Sequence, residues 1–342
     1  MRFFIDHFSR PVLAVVLSLN CFVALAETKS LCVFDLLGAN GPIYAQMKDY
    51  KIAALGWGVD LQLKPYINEG QAAADFKAGL CDAVSFTGIQ SRQFNSFTGS
   101  LDAMGALPSY AHLKTVISTI SSPQASPLMI NKPYEVVGII PIGAAYLFVN
   151  DRSLVSEHED TKNKLSSIRI AVMDNDPAQI ELVSLLGTPS LSAAIAEMYK
   201  KFNAGLVDVC YGPAVVYQAM ELHKGLGSKG GVIRFPVAQL SLQIIIRQAE
   251  FPEQFGQNSR NYALSKFNKA VQLAQGYEHR IALQWWLSIS ESNQQRYHDI
   301  YRKTRLSLRD KGVYDARMLR IMHLVRCKKN PQLSECTAAE KE

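Results

Sequence analysis

Phe76-Lys77-Ala78-Gly79-Leu80-Cys81-Asp82-Ala83 returns later in the chain as Phe202-Asn203-Ala204-Gly205-Leu206-Val207-Asp208-Val209, with the Phe, the Ala-Gly-Leu and the Asp at identical spacing. Each octapeptide reads as a helix end turning into a buried strand: a Gly just past the last helical residue accepts the left-handed conformation that closes the helix. The same device at two places in the chain predicts the same supersecondary unit twice.

Around the first octapeptide, Leu31-Cys32-Val33-Phe34-Asp35-Leu36-Leu37 is an apolar run of strand length, as a parallel strand covered on both faces requires. Gly38-Ala39-Asn40-Gly41-Pro42 breaks it, and Pro42 suits the first position of a helix with Ile43, Met47 and Tyr50 on one face. Val59, Leu61 and Leu63 alternate with polar residues as a half-buried strand, residues 71–78 read as a helix ending at Gly79, and residues 82–86 as a third strand. Around the second octapeptide, residues 168–172 form a strand, Asp176 and Pro177 open a helix that Gly187 ends, residues 192–203 form another helix, and residues 207–211 the next strand. Two runs of strand, helix, strand, helix, strand make two similarly built α/β lobes, each a parallel sheet wrapped by helices.

Residues 134–151 carry the apolar runs 136–140 and 144–149, suited to the crossing strands of a hinge, and residues 240–247 form a return strand. Beyond it Leu264, Phe267, Val271, Ala274, Tyr277, Ile281 and Trp285 recur at three or four, a helical extension in which the Trp285-Trp286 pair serves packing. The expected domains are a leader at 1–26, lobe 1 at 27–140 with a return segment at about 238–262, lobe 2 at 141–237, and the extension at 263–342.

The chain has 342 residues, 48% hydrophobic and 19% charged, which is ordinary globular composition and too short for a polytopic pump. Arg2 and Arg10 precede an apolar run over residues 11–26 that ends Val23-Ala24-Leu25-Ala26, the pattern of an export signal cleaved after Ala26. The run is shorter than the roughly 20 residues that span a bilayer, so a soluble, exported protein is expected. The net charge of +6 is uneven: residues 255–342 hold twice as many basic as acidic residues, whereas residues 27–254 are slightly acidic. Because those bases alternate with apolar residues at helical spacing, they read as the solvated face of helices and not as a nucleic-acid site.

Five cysteines follow the leader. In an oxidising compartment two disulfides are expected, Cys32 with Cys81 on neighbouring strands and Cys327 with Cys336 around a short loop, leaving Cys210 as the odd thiol. No C-x-x-C, H-E-x-x-H, G-x-S-x-G or phosphate-binding loop occurs, and Gly225-Leu226-Gly227-Ser228-Lys229-Gly230-Gly231 reads as a surface turn. No metal, cofactor or catalytic group is expected.

Leu186-Gly187-Thr188-Pro189, Ala196-Glu197-Met198-Tyr199 and Val207-Asp208, with residues 82–94 and Ala106-Leu107-Pro108-Ser109-Tyr110, resemble segments of the solute receptors of tripartite ATP-independent periplasmic (TRAP, DctP-like) transporters. The resemblance extends over about residues 30–290. Still more specifically, the chain is similar to the AdeT-like solute-binding proteins, a group described as RND-type efflux-pump proteins linked to aminoglycoside resistance; that description conflicts with a chain holding no second apolar span. The resemblance implies a two-lobed periplasmic-binding-protein fold (type II-like) and a monomer in the periplasm. Its partners would be a small-molecule solute and a membrane permease or envelope transport complex. The Arg that such receptors place on the first strand of lobe 2 falls on Ala171, their aromatic before E-x-Y on Ile195 and their Asn after V-D-G on Gly212. A standard carboxylate clamp is therefore missing, with Arg92 or Arg169 as replacements that are as readily structural.

In open α/β sheets ligands lie beyond the C-terminal strand ends, near helix N-termini. That rule selects Asn40, Thr87, Gln90 and Arg92 in lobe 1 and Met173, Asn175 and Tyr211 in lobe 2, with Tyr146 on the crossing segment as a wall. Asn40 reads equally well as a helix cap and Tyr211 as packing. Two functions remain: a receptor that delivers a solute to a permease, and an envelope accessory protein, associated with efflux or antibiotic resistance, that keeps the lobes without transport binding.

Overall fold

The structure, a computed structural model, describes residues 26–155, 168–338 and 342; all of the expected leader but Ala26 lies outside them. Its strands are β1 Glu27–Phe34, β2 Val59–Tyr66, β3 Ala83–Thr87, β4 Ile130–Asn131, β5 Tyr134–Val149, β6 Ile170–Met173, β7 Ser190–Ala193, β8 Val209–Pro213, β9 Gly231–Ile233, β10 Ala238–Arg247 and β11 Trp286–Leu287.

The unit repeats in space as it does in sequence. In lobe 1 the order is β2-β1-β3, all parallel, with helices Pro42–Leu55 and Glu69–Lys77 as crossovers. In lobe 2 it is β7-β6-β8, again parallel, with helices Pro177–Leu186 and Ile195–Asn203. The octapeptides close their helices identically. Gly79 and Gly205 stand at φ 79° and 69°, and the following Leu80 and Leu206 donate their amides back to the carbonyls of Asp75 and Lys201, each at 2.9 Å. Phe76 and Phe202 are fully buried beneath. Because a Cβ at φ near 70° strains the backbone, Gly205→Ala is expected to lose about 1–2 kcal/mol in a urea melt. Gly276→Ala, inside a helix with open space around its Cα, should gain about 0.5–1 kcal/mol.

Between the lobes β10 lies antiparallel to β3 and to β5, and β5 lies antiparallel to β8, so one sheet runs through both. The two apolar runs expected as separate crossing strands are one strand of 16 residues. Its first part pairs with β10 and its last part, Ala145 to Val149, with β8. The register slips between Leu240 and Ser241, opposite Gly143 and Pro141, a bulge that accommodates a proline with no N–H to donate to the ladder.

The helix Phe255–His279 lies along β5 and buries Phe255, Ala263, Phe267, Ala270 and Ala274. It stops at His279 instead of continuing through Trp285. Trp286 enters β11 beside Val232 of β9, its ring edge-on to Tyr146 at 4.9 Å. Helices Glu291–Asp310 and Ala316–Lys329 complete the extension. Cys32–Cys81 and Cys327–Cys336 are bridged, with Cα–Cα distances of 5.9 and 5.6 Å, and Cys210 is a buried free thiol. Among the described residues no helix is long and apolar enough to cross a membrane.

Candidate functional site

The C-terminal ends of β1, β3, β6 and β8 face one cavity of about 90 Å³ between the lobes, room for several waters or a small solute. Lobe 1 supplies Phe34, Asp35, Leu36 and Thr87; the hinge supplies Pro141, Ile142 and Leu240; lobe 2 supplies Met173, Ile195, Tyr199, Tyr211 and Gly212; and the long helix adds Ala270, Ala274 and Tyr277. The lining is overwhelmingly apolar, with no Lys, Arg or His in it. The positions where TRAP receptors would put an aromatic and an Asn, Ile195 and Gly212, both lie in this wall.

Three of the expected ligand residues line the cavity: Thr87, Met173 and Tyr211. Each is set by local structure. Thr87 ends β3 and caps the next turn through the Gln90 amide at 3.3 Å. Met173 ends β6, its amide bonded to Gln179 Oε1 at 3.0 Å. Tyr211 sits in β8 opposite Leu147.

Three more meet one another across the lobes. Asn175 Nδ2 donates to Gln90 Oε1 at 3.0 Å, and Arg92 Nη1 to Asp176 Oδ1 at 3.2 Å. Arg92 and Asp176 side chains are only 10% and 3% exposed, and the guanidinium lies 5.0 Å over the Tyr314 ring. These two contacts latch the loop after β3 to the loop after β6, so the cleft stands closed.

The remaining three lie elsewhere. Asn40 is exposed in the turn Gly38–Asn40, and its expected capping role belongs to Asp35, whose carboxylate accepts the amides of Leu37, Ile43 and Tyr44 at 2.9, 2.8 and 3.1 Å. Arg169 lies at the N-terminal end of β6, away from the cleft edge, half exposed and forked onto Asp208 at 3.1 Å. Tyr146 is drawn into a neighbouring hollow with Arg234, Glu278 and Trp286, where its hydroxyl and that of Tyr110 both donate to Glu278 Oε1.

Glu69, two residues ahead of the helix expected over 71–78, is buried behind Thr87, whose hydroxyl donates to its Oε2 at 2.8 Å. Burial pushes its carboxyl up to about 7, with Asp176 adding repulsion. Burial likewise raises Asp102 to about 7, against the donors of Ser241. A carboxyl with a raised folded pKa binds more protons folded than unfolded, so its contribution to stability is present at low pH and lost as pH rises through the folded value. Stability should therefore fall between about pH 4 and 7 by a few kcal/mol from this pair. His112, His298 and His323, held low by burial, act oppositely below about pH 6.5. The measurement is thus the difference in urea melts between wild type and Glu69→Gln/Asp102→Asn, whose slope over this window should be flatter.

His323, Glu335 and Glu342 offer ligand atoms within 4.8 Å of one another, but both carboxylates already pair with Arg305 and Arg326 at 2.6 to 2.9 Å. Those guanidiniums also bond the carbonyls of Met104 and Ala106, so the cluster docks the extension onto lobe 1.

Residues 51–341 match the family described as solute-binding protein AdeT 1/2. The chain is 41% identical over 307 residues to the "Probable solute-binding protein AdeT1" of Acinetobacter baumannii, covering 89% of this chain and 98% of the relative. In fold it is similar to a TRAP periplasmic solute-binding protein of Haemophilus influenzae RdAW with bound L-gulonate, at TM-score 0.70 and 11% identity over 87% of this chain and 99% of that one. It is also similar to one from Desulfovibrio salexigens with bound orotic acid, at TM-score 0.68 and 12% identity over 87% and 97%.

Proposed function

The chain belongs to the solute-binding protein AdeT 1/2 family, and on that premise we propose that it is a periplasmic receptor which closes its two lobes on a small solute and presents it to a membrane permease. The observation that carries this reading is the interlobe cavity, walled by strand ends of both lobes and closed by Gln90–Asn175 and Arg92–Asp176. Contacts made only in the closed form let a bound solute shift the open and closed populations. We further read the chain as a monomer of lobes 27–140 and 141–237 that works without nucleic acid and is released by cleavage after Ala26. Intact mass of the exported protein should begin at Glu27.

The test is native mass spectrometry and a thermal-shift screen on protein starting at Glu27. At least one small molecule should co-purify or raise the melting temperature, and a cleft that accepts none would end the reading. A second reading, an envelope accessory protein, draws on the same latches, since Gln90 with Asn175 and Arg92 with Asp176 hold the lobes together without a ligand. It requires a membrane or envelope protein to be recovered by in-cell cross-linking.

A further inference from the structure

The interlobe cavity offers nothing to a charge. No Lys, Arg or His lines it, and its one acid, Asp35, turns both carboxylate oxygens onto the amides of Leu37, Ile43 and Tyr44. Thr87 is likewise engaged, since its hydroxyl donates to Glu69 and accepts the Gln90 amide. Gln46 and Tyr277 are half-buried. Around these stand Phe34, Ile142, Ile195, Leu240 and Ala274. An ion entering this space would give up its water and gain no counter-charge, which costs several kcal/mol.

Two polar groups in the wall are not engaged. Tyr199 and Tyr211 line the cavity while only 1% and 8% exposed. Neither hydroxyl has a hydrogen-bond partner among the described residues, and neither belongs to the enclosed, partnerless atoms found elsewhere in the fold, so each keeps surface of its own. The Tyr199 hydroxyl lies against Gly212, where a Cβ would come to 2.5 Å from it, and Gly212 is itself part of the cavity wall. Burial raises both phenols well above their ordinary range, so both stay protonated and able to donate. A buried donor without an acceptor is destabilising, and an acceptor brought by a solute removes that penalty.

Resting on the reading of the cleft as a solute site, the geometry points to an uncharged, compact apolar molecule carrying a carbonyl oxygen as what the cleft takes. A carbonyl oxygen has two lone pairs and no proton to place, which suits two phenol donors. The rest of the molecule meets the apolar side chains that exclude charge. A cavity of about 90 Å³ is smaller than the roughly 150 Å³ that admits benzene in an apolar interior, so the body is about the size of butanone. Its oxygen lies with Tyr199 and Tyr211 of lobe 2 while its carbons reach Phe34 and Leu36 of lobe 1. One molecule thus touches both lobes only when they are closed, as a solute that shifts the open and closed populations must.

The test is ligand-observed NMR titration of the protein from Glu27 onward with butanone, propionate, sec-butylamine and isopentane. These share one skeleton and carry a carbonyl, an anion, a cation and no polar atom. At neutral pH butanone should bind at least about ten-fold more tightly than propionate or protonated sec-butylamine. Tyr199→Phe/Tyr211→Phe keeps both rings. Checked for an intact melting transition, it should lower the ratio of butanone to isopentane affinity by about five-fold or more. Either ion binding as tightly as butanone overturns the uncharged class, and an unchanged ratio in the double variant overturns the carbonyl; both outcomes leave the cleft a solute site. If none of the four binds while another solute from the screen does, this inference again falls alone. If no solute binds at all, both readings fall together.

Discussion

Replacing Arg260 by alanine is expected to lower the unfolding free energy by about 3–5 kcal/mol. Arg260 and Glu135 have side chains only 3% and 9% exposed and meet at 2.6 Å where the long helix crosses the start of β5. The guanidinium also serves the Val136 carbonyl, Ser126 Oγ and Gln257 Oε1 at 3.3, 3.1 and 3.2 Å. Alanine leaves the Glu135 charge buried with no counterion, and it opens a void under the hinge strand. Because most of the cost is the orphaned partner, the double change Arg260→Met/Glu135→Leu should recover more than half of it. Denaturant melts of the two variants decide the matter: a single change costing less than about 1 kcal/mol, or a double change no better than the single, would refute the account.

Arg92→Met should open the molecule. The substitution keeps most of the side chain's volume but leaves Asp176 with the Ala178 amide and Gln179 Nε2, at 3.1 and 2.9 Å, and no cation. Asp102 then has one fewer positive neighbour. Above pH 7, where Asp102, held up at about 7, ionises with no cation beside it, the closed arrangement should lose about 2–4 kcal/mol. Near pH 5 protonation of Asp102 relieves part of this and the loss should shrink. Since the latch bridges lobes, small-angle scattering should report a larger radius of gyration for Arg92→Met at pH 8 than for the wild type. An unchanged radius together with an unchanged melt would mean that the latch does not hold the lobes.

The two-lobed frame was legible because its punctuation is local. Gly79, Gly205, Pro42, Asp176-Pro177 and Gly187 act through their own backbone preferences, and each stands where that chemistry requires. What escaped depended on partners distant in sequence. Pro141 and Gly143 divide the apolar pattern of β5 into two runs, and their accommodation at a bulge opposite Leu240 and Ser241 depends on a strand a hundred residues away. β7 shows three exposed residues out of four, too short and polar for any period to register. In the site, choosing loops at strand C-terminal ends found Thr87, Met173 and Tyr211. Arg169, named instead as a replacement for the Arg that falls on Ala171, lies at the opposite end of its strand. Glu69 and Tyr199 sit on helices, where a carboxylate in a first turn and an aromatic at helical spacing look like ordinary surface and core.

The free thiol of Cys210 has a use that its position alone confers. It lies in β8 opposite Phe148, fully buried, and burial raises its pKa well above the ordinary range, so almost none of it is the reactive thiolate. The other four cysteines among the described residues are tied in disulfides. An alkylating reagent added under non-reducing conditions to the chain from Glu27 onward can therefore modify it only when lobe 2 transiently exposes β8. The labelling rate then reads the opening equilibrium of that lobe, and a solute that draws the two lobes together should slow it in proportion to occupancy, with no dye attached and no residue changed.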